Sequence, residues 1–318
     1  MATVVGAWAR LAAVGIGLNT WVTKTPMPAT QSGSSGGFGT ASDGSSIWLL
    51  NGSWSTSPTT RMYRYDIATD TWTYIAQTSV SARVGMWGAY ASGEPYFGAQ
   101  NSPNSTLNRG VFRYNTGTNT WTTLSSLPTS TRWASTAVLP GAIHVLGGWN
   151  SFGNAEPLHV RYDIAANTAS FQNNTFMLGG AGVASVIGGK IVLVTPSGNI
   201  ILAREWNPAG GNWVALANLT PGGTQGGFFQ GAGDGGSGII VAGGATAVNT
   251  SGSTPIVTAV TAATYKYDRT LNAWSSALAP MPAGRAQGSS ARGNDGRIYV
   301  IAGTNGTANQ PDLYAYNP

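Results

Sequence analysis

One motif recurs along the chain and constrains its fold more than any other feature: an aromatic residue followed by Asp or Asn, with Trp seven residues after the aromatic. The copies are Tyr65-Asp66 with Trp72, Tyr114-Asn115 with Trp121, Tyr267-Asp268 with Trp274, and the variant Trp206-Asn207 with Trp213. Tyr162-Asp163 is a degenerate copy, with Ala169 at the Trp position. Successive copies are 49, 48, 44 and 61 residues apart. A period near 50 residues predicts an array of similar units.

Short runs of β-branched and aromatic residues that end in small residues precede the motifs. They are IWLLNG from Ile47, IHVLGG from Ile143, IIVAGG from Ile239 and IYVIAG from Ile298. Their length and composition predict strands, and the glycines mark the turns that follow. Each repeat therefore contains four predicted strands: an inner strand, the glycine-ended strand, the Tyr-Asp strand and the Trp strand.

The glycine doublet, the Tyr-Asp pair and the downstream Trp together resemble the Kelch-repeat family over nearly the whole chain. The resemblance implies an all-β fold, a six-bladed Kelch-type β-propeller with four-stranded antiparallel blades. Two predicted blades, Arg132 to Phe176 and Met177 to Pro221, depart from the pattern because the Trp or the glycine doublet is lost.

The two ends of the chain predict how the ring closes. The last copy, Tyr316-Asn317, has no room for a Trp strand, whereas Asn19-Thr20-Trp21 repeats the residues around Trp121. We therefore expect the last blade to take three strands from the C-terminus and one from the N-terminus, which removes open sheet edges. Residues 18–318 form the predicted propeller, and residues 1–17 form an N-terminal extension.

The extension contains Trp8 and Leu11, apolar residues that favour burial. We predict that they bind a neighbouring subunit as an anchor; the alternative is that the segment folds back on the propeller. Arg10 and several glycines interrupt the apolar run, so a cleaved signal peptide is not expected.

Composition excludes several functional classes. Only 8% of the 318 residues are charged, and the 16 basic residues, against 11 acidic ones, form no Lys/Arg-rich run, so we expect no nucleic-acid partner. The absence of Cys and the presence of only two His argue against a transition-metal site, and no cofactor is predicted. No apolar stretch approaches the roughly 18 residues that span a bilayer, so we predict no membrane insertion.

Candidate ligand-binding residues come from two patterns. Arg83, Arg132 and Arg285 recur near the start of the inner strand, a position that the Kelch resemblance places at the mouth of the central channel, where guanidinium groups bind anions or polar sugars. The alternative is that they bond to carbonyls of adjacent blades. Trp54, Trp149 and Asn150 lie in long loops rich in Asn and Ser on the same face, where binding residues concentrate.

These features favour a non-enzymatic binding or structural module. We expect it on a virion, as a bacteriophage tail or capsid-surface protein, or on another extracellular surface, with a glycan or protein subunits as partners. The alternative is a sugar-processing enzyme resembling the Kelch-type sialic acid mutarotases, which requires a Glu or Asp facing the arginines. The sequence nominates no catalytic residue, although Glu94, Glu156 and Glu205 would merit attention if they met. An insertion from Ala245 to Thr264 predicts a β-hairpin over the face or toward a neighbouring subunit.

Overall fold

A computed structural model describes residues 18–28, 38–51, 61–77, 84–100, 109–150, 154–173, 181–222, 225–250, 256–275 and 278–318. Within these ranges the chain forms strands and turns without any helix, so no described helix is available to cross a membrane. The predicted anchor residues Trp8 and Leu11, with the whole extension 1–17, lie outside the described residues. The same is true of two predicted ligand-binding residues, Trp54 and Arg83.

Six four-stranded antiparallel sheets form the blades of a β-propeller. Blade I is β2 Phe38–Ser42, β3 Ser46–Asn51, β4 Arg61–Asp66 and β5 Thr71–Gln77. Blade II is β6 Val84–Ala91, β7 Glu94–Gln100, β8 Val111–Asn115 and β9 Thr120–Leu124. Blade III is β10 Ser135–Leu139, β11 Ala142–Leu146, β12 His159–Asp163 and β13 Thr168–Phe171.

The other three blades follow the same plan. Blade IV is β14 Val183–Ile187, β15 Lys190–Ser197, β16 Ile200–Asn207 and β17 Asn212–Ala215. Blade V is β18 Gln230–Gly233, β19 Gly238–Ala242, β22 Thr264–Asp268 and β23 Ala273–Trp274. Blade VI is β24 Ser289–Arg292, β25 Ile298–Ile301 and β26 Leu313–Asn317, completed by β1 Thr20–Lys24.

The N-terminal strand closes the ring, as predicted. β1 pairs antiparallel with β26 as the outermost strand of blade VI, with Trp21 opposite Tyr316. The two rings lie 4.9 Å apart, and Asn19 accepts a 2.8 Å hydrogen bond from the Tyr316 hydroxyl. The six blades and the three-plus-one closure are therefore confirmed.

The repeated aromatic residues pack in the core between blades. The Tyr that opens each motif is buried, and its hydroxyl donates to an Asn or Asp five residues later in the turn before the outer strand. The pairs are Tyr65 with Asp70, Tyr114 with Asn119, Tyr162 with Asn167 and Tyr267 with Asn272. These turn residues have positive φ angles of 48–56°, a conformation that Asn and Asp tolerate better than most side chains.

The insertion in blade V forms a hairpin, as predicted, from β20 Ala245–Asn249 and β21 Ile256–Val260. It connects the second and third strands of the blade and is a separate two-stranded sheet. Val257 is buried in a cluster with Trp133 of blade III and Phe228 before blade V. The hairpin consequently lies across the channel mouth between blades III and V.

Candidate functional site

The loop face is the end of the ring that carries the connections between the second and third strands of each blade. On blade III, Arg132 pairs with Trp149 through two reciprocal backbone hydrogen bonds of 2.9 Å. The Arg132 guanidinium is fully buried, donates to the Asn150 carbonyl at 2.6 Å and lies 5.1 Å from the centre of the Trp133 ring. Burial lowers the pKa of Arg132 to about 10, a value that still leaves it protonated near neutrality.

On blade VI, Arg285 is also buried and contacts groups of its own blade. Its Nη1 donates to the Gly284 carbonyl at 2.8 Å, and its Nη2 bonds to the Asp312 carboxylate and, at 3.3 Å, to the Tyr314 hydroxyl. The Asp312 side chain remains one third exposed. Burial is the main cause of the raised pKa of Tyr314, so this hydroxyl stays protonated at neutral pH. An acid therefore faces one of the predicted arginines.

The two arginines do not occupy equivalent positions. Isolated bridges join Arg132 to Trp149 and Ala286 to Thr304, so the counterpart of Arg132 is Ala286 and not Arg285. The offset of one residue arises because five residues lie between the paired Arg292 and Ile298 of blade VI, but only four lie between the equivalent Val138 and Ile143 of blade III. Both side chains bond to main chain within their own blades, and their predicted contact with a ligand stays a prediction.

Three aromatic rings close the loop-face mouth on the side of blades III to VI. Trp149 stacks on Phe228 at 5.7 Å with an interplanar angle of 10°, and Trp133 meets Phe228 edge-on at 5.5 Å. Ala286 of blade VI and Val257 of the hairpin complete the cluster. Trp149 is thus half-buried against another blade.

Asn150 shapes the loop that follows Trp149. Its backbone N–H donates to the Asn154 carbonyl at 2.9 Å, and its side-chain oxygen accepts from the Asn154 N–H at 3.0 Å. Its amide nitrogen donates to Glu156 at 3.3 Å. The loop thereby places an amide and a carboxylate side by side, both half-buried, at the rim of the mouth.

The inner strands enclose a central cavity of about 190 Å³ below this aromatic cluster. Two polar side chains of its lining reach the neighbouring blade: the Thr136 hydroxyl donates to the Gly88 carbonyl at 2.6 Å, and the Ser290 hydroxyl to the Gly231 carbonyl at 2.7 Å. Gly88 is required because a Cβ there would lie 2.5 Å from the Thr40 backbone nitrogen.

Three buried polar atoms of the cavity lining have no hydrogen-bond partner within the described ranges: Thr40 Oγ1, Trp133 Nε1 and Ser135 Oγ. Buried polar groups are normally satisfied, and a polar cavity that exceeds the volume of a few water molecules supplies such partners from solvent or ligand. The residues that line the cavity thus include two hydroxyls and an indole N–H that are buried without a partner among the described residues.

The three acids that the sequence raised for acid/base chemistry do not come together. Glu94 pairs with Arg113 of its own blade at 3.1 Å, and Glu156 contacts Asn150. Glu205 of blade IV is bound by Lys190 and by Arg269 of blade V. Burial alone would raise the pKa of Glu205, but these two cations lower it below its ordinary value. No group of three metal-ligating side chains occurs among the residues described.

Four residues of the loop face were missed by sequence reasoning: Trp133, Phe228, Asp312 and Tyr314. Trp133 and Phe228 have φ angles of 52° and 57° just before the inner strand, which a sequence pattern does not reveal. Asp312 and Tyr314 could have been found from the sequence, because they lie around the start of β26, the strand that contains the Tyr316 motif.

Comparison with known proteins supports the fold only. No protein-family model matches the chain, and no curated protein matches its sequence. A solved structure described as "Structure of YjhT" superimposes with a TM-score of 0.68 over 91% of this chain and 93% of that one, at 17% sequence identity. The similarity establishes a shared propeller architecture, whereas the Kelch identity of the repeats rests on the sequence motifs alone.

Proposed function

We propose that the chain is a non-catalytic binding module that recognises a glycan or a protein partner with its loop face. The β20–β21 hairpin is the observation that carries this proposal. It spans residues 245–260, contains no charged side chain, and packs on aromatic rings from two other elements of the ring. An uncharged surface of this kind suits stacking and hydrogen bonding rather than acid/base chemistry.

The hairpin also presents groups that a partner can use. Ile256 is 60% exposed at its outer strand, and a two-stranded sheet leaves backbone N–H and C=O groups for pairing with an added strand. The proposed location is a virion or another extracellular surface, with the predicted anchor residues Trp8 and Leu11 contacting an assembly subunit.

A glycan array tests the proposal directly, with cross-linking in the native particles as the arm for a protein partner. Ile256→Asp is the test variant, and Leu271→Asp is its matched control. Leu271 is also an exposed apolar residue of blade V, but it lies in the turn before β23, at the opposite end of the blade. Binding lost in Ile256→Asp and retained in Leu271→Asp supports the proposal; equal binding by both variants contradicts it.

A sugar-processing enzyme is the second candidate, because Asp312 faces Arg285 and Tyr314 at the mouth. A partly exposed carboxylate beside an arginine and a phenol is suited to proton transfer at a bound sugar acid. The test is NMR measurement of the interconversion of the anomers of N-acetylneuraminic acid. Acceleration by the wild type and its loss in Asp312→Asn would favour the enzyme over the binding module.

A further inference from the structure

The far mouth is the channel opening opposite the loop face, where the inner strand of each blade turns into the second strand. Strand pairing identifies six equivalent positions there, because each lies opposite the first core residue of the second strand. They are Ser42, Tyr90, Val138, Val186, Gly233 and Arg292. Since side chains alternate along a strand, these positions share a face with cavity-lining residues two places earlier, such as Thr40 and Ser290. Arg292 is therefore the one charged side chain among these six positions.

A pocket of about 350 Å³ opens beside Arg292. Its walls are residues 184–188 of blade IV and the glycine-rich hairpin of blade V, and it adjoins the central cavity at Ala184 and Ala232. A Cβ on Gly235 would lie 2.3 Å from Arg292 Nη2, so the guanidinium rests directly on the backbone of the neighbouring blade. This glycine, with a φ of 86°, allows the arginine of blade VI to reach a pocket between blades IV and V.

The Arg292 guanidinium is exposed, and within the described ranges it has no hydrogen bond or ion pair. The carboxylates nearby are engaged elsewhere. Asp234 pairs with Lys266 at 2.8 Å and accepts the Gly236 and Gly238 N–H groups. Asp295 pairs with Arg297 and accepts from Tyr299. Asp43 accepts the backbone N–H groups of its own turn.

The other residues of the pocket indicate which chemical group would be attached to an anion bound at Arg292. Ser185 of blade IV supplies a hydroxyl to the pocket. Its Oγ lies 2.2 Å from the position that a Cβ at Gly233 would occupy. Ile187 lies on the same face of the strand as Ser185, packs with Ile239 of blade V and forms the adjoining aliphatic wall. A planar cation, a hydroxyl donor and a short aliphatic wall match a carboxylate that carries a small aliphatic group.

We propose that the far mouth binds such a carboxylate, with Arg292 pairing with both oxygens, Ser185 donating a hydrogen bond and Ile187 contacting the aliphatic group. The ligand is a small organic acid or the C-terminal residue of a polypeptide, which share this chemistry. This site lies at the opposite end of the channel from the loop face, so it is independent of the function proposed above.

The experiment is a calorimetric or NMR titration of the full chain with N-acetyl-L-valine and, as the uncharged control, N-acetyl-L-valinamide. The acid should bind and the amide should not. Arg292→Gln should weaken binding of the acid about tenfold or more, because a charge-assisted bidentate contact is lost. Arg161→Gln removes the same charge from a surface arginine paired with Asp163 and should leave affinity unchanged.

A second pair of probes separates the two sources of ligand. A pentapeptide ending in valine and the same peptide with an amidated C-terminus are titrated in parallel. Tighter binding of the free-carboxylate peptide than of N-acetyl-L-valine indicates a polypeptide C-terminus, and weaker binding indicates a small acid. Equal affinity for acid and amide, no binding of either acid, or unchanged affinity in a folded Arg292→Gln protein would each overturn the site.

Discussion

Neighbouring blades are joined in two chemically different ways. At four junctions in the described part of the chain, a turn Asn or Asp accepts a backbone N–H from the segment that follows the outer strand of the preceding blade. The pairs are Asn19 with Ala279, Asp70 with Thr25, Asn167 with Ser125 and Asn272 with Ala217. At three of these junctions the motif Trp also donates to the same segment: Trp21 to Ala279, Trp72 to Thr25 and Trp274 to Ala217.

The junction between blades III and IV adds buried histidines to one exposed side-chain contact, in which Asn173 Nδ2 donates to Asn212 Oδ1 at 2.8 Å. Gly211 takes the place of the turn Asn in blade IV, with a φ of 65°, and so provides no side-chain acceptor. Trp213 donates from its indole to His159 Nδ1 at 3.2 Å, which makes that nitrogen an acceptor and places the proton on Nε2. His159 Nε2 then donates to His144 Nδ1 at 2.9 Å.

The histidine junction differs from the regular junctions in how deeply its groups are buried and in how their charge depends on pH. Both histidines are 1% exposed and pack against Trp206 at ring distances of 4.8–5.0 Å. Burial lowers the pKa of His144 to about 4 and, together with the neighbouring imidazole, that of His159 to about 3. The regular junctions rely on acceptors near the surface, whereas this one relies on a buried pair that must stay neutral.

Removal of an indole should produce the largest effect and should separate the two junction types. Trp213 is 3% exposed, whereas Trp274 is only partly buried. We expect Trp213→Ala to lower the free energy of unfolding by about 3–5 kcal/mol, because it leaves a cavity and removes the donor to His159. Trp274→Ala should cost about 1.5–3 kcal/mol. Urea denaturation measures both, and equal losses would mean that the junctions do not differ in this respect.

Acid should weaken the histidine junction next. Because the folded pKa values lie below the unfolded value near 6.5, the unfolded chain takes up protons first as pH falls. Stability should therefore be unaffected above about pH 6.5 and should decline from there toward pH 4, by about 2 kcal/mol per histidine at about pH 5. Urea unfolding at a series of pH values measures the slope.

The matched control for the acid effect is the double variant His144→Ile with His159→Met. Ile240 stands at the position of His144 in blade V, and Met62 at that of His159 in blade I, so both replacements follow the repeat. Its stability should be nearly flat between about pH 6.5 and 5.5, because carboxylates with ordinary pKa values of about 3.9–4.3 remain almost fully ionised in that range. A slope equal to that of the wild type would assign the acid effect to other groups.

Much of the fold could be predicted from the sequence because the features that define it are local and repeat. Tyr65, Tyr114 and Tyr267 each bring their own turn Asx and Trp, and the count of copies fixes the number of blades. The unmatched Tyr316 and the isolated Trp21 identified the closure. The degenerate copy at Tyr162 still marked blade III, because only the Trp was replaced, by Ala169.

The candidate site was less predictable because it depends on contacts between blades and on turn lengths. Arg132 and Arg285 look equivalent when counted from the glycine doublet, yet the longer turn of blade VI displaces one from the other. His144 and His159 lie in separate predicted strands, and nothing in the sequence indicates that they meet each other and Trp213 at the junction of two blades. The repeat pattern does not predict a role for Arg292, because the equivalent residues of the other blades are Ser, Tyr, Val and Gly.

Loss of a turn acceptor should have an intermediate effect. Asn272 accepts both the Tyr267 hydroxyl at 2.7 Å and the Ala217 N–H at 2.9 Å, and its φ is 48°. Asn272→Ala leaves the Tyr267 hydroxyl and the Ala217 N–H without an acceptor. It also places alanine at a positive φ, a conformation that alanine tolerates less well than Asn. We expect a loss of about 1–3 kcal/mol, measured by urea denaturation.

The control for that loss is Asn272→Gly, which also removes the acceptor but accepts the positive φ, as Gly211 does in blade IV. The difference between the two variants isolates the backbone strain, expected at about 1 kcal/mol. A glycine variant less stable than the alanine variant would show that flexibility of the unfolded chain outweighs this strain.

The smallest effect should come from exchanging Asp for Asn within the regular junctions. Asp70 Oδ1 accepts from the Tyr65 hydroxyl at 2.6 Å and from the Thr25 N–H at 2.9 Å, both of which an amide oxygen also accepts. Only Oδ2, 3.5 Å from Lys24 Nζ, uses the charge, and the Asp70 side chain is 35% exposed. We therefore expect Asp70→Asn to lower stability by only about 0.2–1 kcal/mol, the usual contribution of a surface ion pair.

The dependence on salt and pH of the stability difference between the wild type and Asp70→Asn identifies its origin. Burial opposes ionisation of Asp70, but the hydrogen bonds from Tyr65 and Thr25 and the charge of Lys24 lower its pKa below the ordinary value. The advantage of Asp over Asn should thus be complete above the unfolded pKa of about 3.9 and disappear as pH falls through the folded one. Raising sodium chloride from about 0.05 M to about 0.5 M should reduce it, because an exposed pair is screened. A difference above about 2 kcal/mol that persists in high salt would show that this regular junction depends on a charged group, and its description as a junction held by hydrogen-bond acceptors near the surface would then fail.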